Sequence, residues 1–235
     1  MLTIVGLLMW SVIALLVASI IDVALFWVLN QFGALQQLTS NMLTIVEGTA
    51  YYIILLAVLI GVPWLVLGWK SSLKLLGIQR SLRWVDIGLA LSGTVLYFVI
   101  VYFVMLVVSA LFPQIDQNQV QETGITMPYG YERVLVFLLF VVVGPIAEEL
   151  LFRGYLQGVL RKNGVSALLA IIIVNVLFGA AHGQWNVGIT VGILGVLMSI
   201  GREITGTIWP GVLIHMIKNG IAFYALYVIG MAVGG

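Results

Sequence analysis

The chain contains no cysteine among its 235 residues, which excludes disulfides, thiolate metal sites and a cysteine nucleophile together. Charge is nearly as scarce. Asp, Glu, Lys and Arg make up 8% of positions, where a soluble domain carries about a quarter. The charges sum to +1 and form no basic block, so no nucleic-acid partner is expected. Histidine is confined to His182 and His215. The first thirty residues hold no Lys or Arg and no small-residue cleavage site, so they read as a retained first span rather than a signal peptide.

What the chain does have is apolar surface: 62% of its residues are hydrophobic and the mean hydropathy is +1.18. Too few charges remain to cover a water-facing exterior, so the expected solvent is lipid. A helical span needs about 20 mainly apolar residues. Seven stretches qualify, at roughly 3–28, 43–68, 85–111, 132–160, 165–182, 187–201 and 206–230. Long Leu/Val/Ile runs without alternation favour helices over a barrel. The expected fold is an all-α polytopic transmembrane bundle of about seven spans, forming one integral membrane domain. Residues 1–130 would be its N-terminal transmembrane region and 131–235 the region carrying the motifs described below. Leu73, Leu75, Leu76 and Ile78, flanked by basic residues and Trp84, suit a short helix in the headgroup layer over 70–84.

Basic residues cluster on alternate connections. Lys70, Lys74, Arg80 and Arg83 lie in the second, Arg161 and Lys162 in the fourth, and Arg202 in the sixth. The third instead holds Asp116, Glu122 and Glu132 against Arg133. This bias predicts an N-terminus inside and a C-terminus outside.

Ionisable residues within spans mark either function or a paired structural bridge. Asp22, Glu47 and Asp86 lie near span ends or alone on their helices, which favours structural roles. The fourth, fifth and seventh spans differ. The fourth reads GPIAEELLFR from Gly144. At 1.5 Å per residue, 132–162 would make about 45 Å of helix, longer than the ~30 Å hydrocarbon layer. A tilt, or a break at Gly144-Pro145 placing the acids near a helix N-terminus, would reconcile the two. Glu149 and Arg153 share a face at four-residue spacing and make a natural ion pair. Adjacent residues point about 100° apart, so Glu148 and Glu149 are not expected to face one small site equally. Glu148 is the less committed acid and the candidate general base. On the fifth span His182 shares a face with Phe178 and Asn175, and on the seventh His215 shares one with Asn219.

A carboxylate and an imidazole can hold and deprotonate a water, while a second imidazole and an amide can donate to an oxyanion. Peptide hydrolysis needs those functions. The chain has no His-Glu-x-x-His and no Gly-x-Ser-x-Gly. No cofactor is called for, although zinc held by Glu148, His182 and His215 stays open.

The ordered set EELLFR, FGAAH and HMIKN resembles the three motifs of the CAAX-protease and bacteriocin-processing family, also called Abi, which includes the type II CAAX prenyl proteases. The resemblance covers about residues 144–220. It implies an intramembrane endopeptidase of glutamate type, in a membrane of prokaryotic cytoplasmic kind, acting on a membrane-associated and in some members lipidated peptide or protein. It also implies that Glu148 and His182 activate water, that His215 and Asn219 form the oxyanion hole, and that Glu149, Arg153 and Phe178 support them. Two other functions stay open: a non-catalytic scaffold or bacteriocin-immunity-type protein that binds a partner through the same cluster, and an ion or proton carrier. Sequence does not address the oligomeric state.

Overall fold

A computed structural model describes residues 4–68, 71–114, 116, 119, 121 and 123–230. Among them all regular structure is helical, in seven runs: α1 Ile4–Gln31, α2 40–67, α3 Trp84–Leu111, α4 Tyr131–Lys162, α5 Ala167–Ala180, α6 Trp185–Thr205 and α7 Trp209–Tyr227. Five of these, α1 to α4 and α6, are long and apolar enough to cross a membrane, and α5 is a shorter apolar helix. α7 interrupts its apolar sequence with His215, Lys218 and Asn219. The chain is an integral membrane protein, with one helical run for each expected span.

Local sequence sets the helix ends. Thr39 and Ser166 accept the backbone N–H groups of Met42 and Leu169 and start α2 and α5. Asp86 accepts the Arg83 N–H at 2.8 Å to start α3. Gly206, at φ 72°, ends α6 in the left-handed conformation that glycine adopts without cost.

Gly144-Pro145 does not break α4. Residues 138–143 and 150–157 are wound in wider turns, and the Gly144 N–H reaches back to Leu139 O. Proline crowds the carbonyl four residues before it and has no N–H to give, and the wider turn just before Pro145 absorbs both defects. Glu148 and Glu149 therefore lie in mid-helix, without the help of an N-terminal dipole.

The chain divides into two compact units. In the first (Met1–Ser72 with Thr123–Ala147), the Trp10 indole donates to Leu59 O at 3.2 Å and joins α1 to α2. Glu132 accepts from Thr39 and from Asn41, the latter at 2.9 Å. In the second (Leu73–Glu122 with Glu148–Gly235), α5 and α6 run as a close antiparallel pair. A Cβ on Gly179 would lie 2.6 Å from Gly188 O, so small residues set the approach of the two helices.

The headgroup helix expected over 70–84 is absent from its described part, 71–83, where Leu73–Gly77 forms a turn. The polar groups of this segment are engaged with α6 and α7 instead. Arg202 Nη2 donates to Leu75 O at 2.6 Å, the Ile208 N–H to Gly77 O at 3.0 Å, and the Trp209 indole to Arg80 O at 2.7 Å. Gln79 Nε2 donates to Gly206 O at 3.0 Å. Trp69, Lys70 and Glu122 lie outside the described residues.

Candidate active site

All the residues singled out by the three motifs lie in the second unit. Glu149 and Arg153 face each other across one turn of α4, with Arg153 Nη1 donating to Glu149 Oε1 at 2.7 Å and both side chains fully buried. Arg153 Nη2 donates to Asn175 Oδ1 on α5, also at 2.7 Å. Asn175 Nδ2 in turn donates to Ser199 Oγ on α6 at 3.0 Å. The guanidinium carbon sits 4.3 Å from the centre of the Phe178 ring, a cation–π contact worth about 2 kcal/mol where water is excluded. Arg153 and Asn175 together thus tie three helices.

Phe178, fully buried, packs against both histidines. Its ring meets the His182 ring at 5.0 Å and the His215 ring at 5.9 Å, edge to face in both cases. His182 Nδ1 lies 2.9 Å from Phe178 O. A carbonyl oxygen only accepts, so Nδ1 carries the hydrogen and Nε2 of the neutral ring keeps its lone pair. His182 also lies within electrostatic reach of Glu148, His215 and Lys218.

Glu148 and Glu149 both approach His215, but each at a different ring nitrogen. Glu148 Oε2 is 3.8 Å from Nε2 and Glu149 Oε1 is 3.4 Å from Nδ1. An imidazole presents its nitrogens in different directions, so two acids about 100° apart can each meet one. Their settings differ: the Glu149 side chain is fully buried, whereas Glu148 remains 21% exposed. Asn219 is half-buried on α7, one turn beyond His215. His182, in the turn after α5, and His215 on α7 thus flank Phe178, with Glu148 of α4 approaching His215. Among the described residues no three His, Cys, Asp or Glu side chains are grouped so as to hold a metal ion.

Several participants carried no signal in their own helix. A Cβ on Gly211 would lie 2.6 Å from Glu149 Oε2, and one on Gly195 would collide with Asn175 Oδ1 and Arg153 Nη2. Both glycines clear room for charged groups arriving from other helices, which local spacing cannot reveal. Lys218 lies within electrostatic reach of Glu148, although the seventh span alone sets it on a different face from His215 and Asn219. Asn175 was legible only as a companion of His182, and it lies between Arg153 and Ser199. Asn175 also lines an apolar groove of 730 Å³ between α5 and α6, together with Gly179, Gly183, Trp185, Gly188 and Gly192.

Comparison with known proteins bears on the same part of the chain. An uncharacterized 24.3 kDa protein of Escherichia coli is 32% identical over 87 residues, 35% of this chain and 40% of the relative. The chain thus spans well under half the length of the curated relative it matches. No solved structure matches. Over residues 130–221, which hold all three motifs and every side chain from Glu148 to Asn219, the chain matches the family of type II CAAX prenyl endopeptidase Rce1-like proteins, in accord with the resemblance carried by its motifs.

Proposed function

We propose that the chain is an intramembrane endopeptidase that hydrolyses a membrane-associated peptide or protein with water activated by Glu148 and His182. The observation that carries this reading is the bond from His182 Nδ1 to Phe178 O, which leaves Nε2 as the acceptor on a ring within electrostatic reach of Glu148. In this mechanism the carboxylate and Nε2 hold a water and take its proton as its oxygen attacks the scissile carbonyl. His215 and Asn219 donate to the oxyanion. Glu148 then returns the proton to the departing amine. The amide bond breaks, and water supplies OH to the new acid and H to the amine.

The groove between α5 and α6 supports a substrate bearing a hydrocarbon chain, because its walls are mainly apolar and Asn175, the partner of Arg153, is one of its lining residues. In this reading the membrane is a prokaryotic cytoplasmic one, as the motif resemblance implies, and the alternating basic connections support an N-terminus inside.

The test is cleavage of a peptide library by purified protein in lipid nanodiscs, with wild type and Glu148→Gln side by side. Gln keeps the shape but takes no proton from water. The expected loss is on the order of 10²–10⁴-fold in kcat, with unchanged thermal stability and substrate binding. A chelator should change nothing; activity lost with chelator and restored by zinc would transfer water activation to a metal. A wild-type protein that binds but never cuts, or a Glu148→Gln variant with its cellular phenotype intact, would favour the scaffold function instead.

A further inference from the structure

Two buried polar atoms without hydrogen-bond partners among the described residues sit in the same corner, Glu149 Oε2 and His215 Nδ1. The two side chains are already neighbours, since Glu149 Oε1 is 3.4 Å from His215 Nδ1. That separation lies outside good hydrogen-bond range, and the small turn of the imidazole needed to close it is of the kind that catalytic contacts make on binding substrate. The carboxylate has little freedom to move. Arg153 holds Oε1 at 2.7 Å, Asn175 holds Arg153, and Oε2 fits against Gly211 only because that residue has no side chain. Gly211 precedes His215 by one turn of α7 on the same face.

We propose that Glu149 is the positioning residue for His215: its carboxylate, anchored by Arg153, accepts the Nδ1 hydrogen and turns Nε2 toward Glu148 and the reacting atoms. An ionised carboxylate paired with Arg153 is acceptor-only, so the imidazole nitrogen facing it must be the donor. The groups facing the ring are Glu148 and Glu149 from α4, with Phe178 and His182 from α5 and the turn after it. If Nε2 is to donate to an oxyanion, it must carry a hydrogen as well. The ring then donates from Nδ1 to Glu149 and from Nε2 to the oxyanion, the latter a charge-assisted bond. The catalytic consequence rests on the hydrolytic function proposed above; the hydrogen on Nδ1 does not.

The experiment is nitrogen-15 NMR of the full chain, with labelled histidine, in nanodiscs. Two ring systems are present, and a His182→Gln sample assigns the remaining one to His215. A directly bonded hydrogen on His215 Nδ1 is expected. Its absence in the wild-type protein overturns the proposal without any Glu149 variant having to fold. In folded Glu149→Gln that hydrogen should be lost or exchange faster while the His182 signals stay in place, and kcat should fall by about 10²-fold with KM little changed. A folded Glu149→Gln protein with wild-type His215 signals and kcat also overturns it. Failure of the hydrolytic reading shows separately, as a chain that cuts nothing while its Nδ1 signal is as expected.

Discussion

Asp86 and Glu149 are both acids within apolar helices, and both are paired with an arginine, yet their surroundings are opposite. Asp86 occupies the first turn of α3, where it takes two bonds from Arg80 at 2.7 and 2.8 Å and a third from the Arg83 N–H. The helix dipole favours its charge there, and Arg80 lies outside the span, partly exposed. Glu149 lies in mid-helix in α4, where Arg153 donates to one carboxylate oxygen and the other has no partner among the described residues. The first acid completes its own hydrogen bonding and fastens the segment before α3. The second keeps a spare acceptor next to an imidazole, at the cost of an incompletely satisfied buried charge. Within one fold, saturation of the carboxylate separates an acid that only anchors from one that keeps an acceptor beside His215.

The sharpest way to break this contrast is to remove the arginine on the buried side. Arg153→Ala should cost about 3–5 kcal/mol, because it leaves Glu149 as an unpaired charge in the interior. It also deprives Asn175 and Phe178 of their partner. Thermal unfolding in detergent and the yield of folded protein measure the effect. Stability within error of wild type would mean that the buried pair contributes nothing beyond what water or lipid can replace.

A smaller effect is expected at the rim of the site. Asn219→Ala should lower kcat by roughly 10²–10³-fold, the usual cost of losing one oxyanion donor, with little change in unfolding temperature. Complete loss of cleavage in a folded Asn219→Ala protein would put Asn219 in the water-activating step rather than at the oxyanion.

Much of the fold and part of the candidate site can be read along the chain, for reasons visible at particular residues. The seven runs stand out because apolar length is itself the physical requirement for a span. Glu149 with Arg153, and His182 with Phe178, are legible because four-residue spacing places them on one helical face. Contacts that cross between helices leave no such trace. Nothing about Gly211 in its own helix indicates that Glu149 lies against it, or that Gly195 makes room for Arg153. The shared access of Glu148 and Glu149 to His215 depends on the ring's two nitrogens, not on helical phase. The segment before α3 misleads for a related reason. Its apolar and basic pattern suits an interfacial helix, but Arg202 and Trp209, more than 120 residues later, hold its backbone carbonyls.

The smallest expected effect belongs to the saturated acid, and it sharpens the comparison by separating stability from catalysis. Asp86→Asn keeps the size of the side chain and one carbonyl oxygen, which can still accept the Arg83 N–H, but it removes the charge that draws both guanidinium nitrogens of Arg80. Because Arg80 is partly exposed, water can take over the broken bonds, so the loss should be about 1–2 kcal/mol. Asp86 bonds to Arg80 and Arg83, whereas His215 meets Glu148 and Glu149, and His182 meets the Phe178 carbonyl. The variant should therefore unfold at a lower temperature while cleaving with wild-type kcat and KM under conditions where it stays folded. The two readouts come from one preparation, by scanning calorimetry and by progress curves with the same peptide. A fall in kcat larger than the fall in folded fraction would show that the segment before α3 communicates with the site, and the division between the anchoring acid and the one beside His215 would fail.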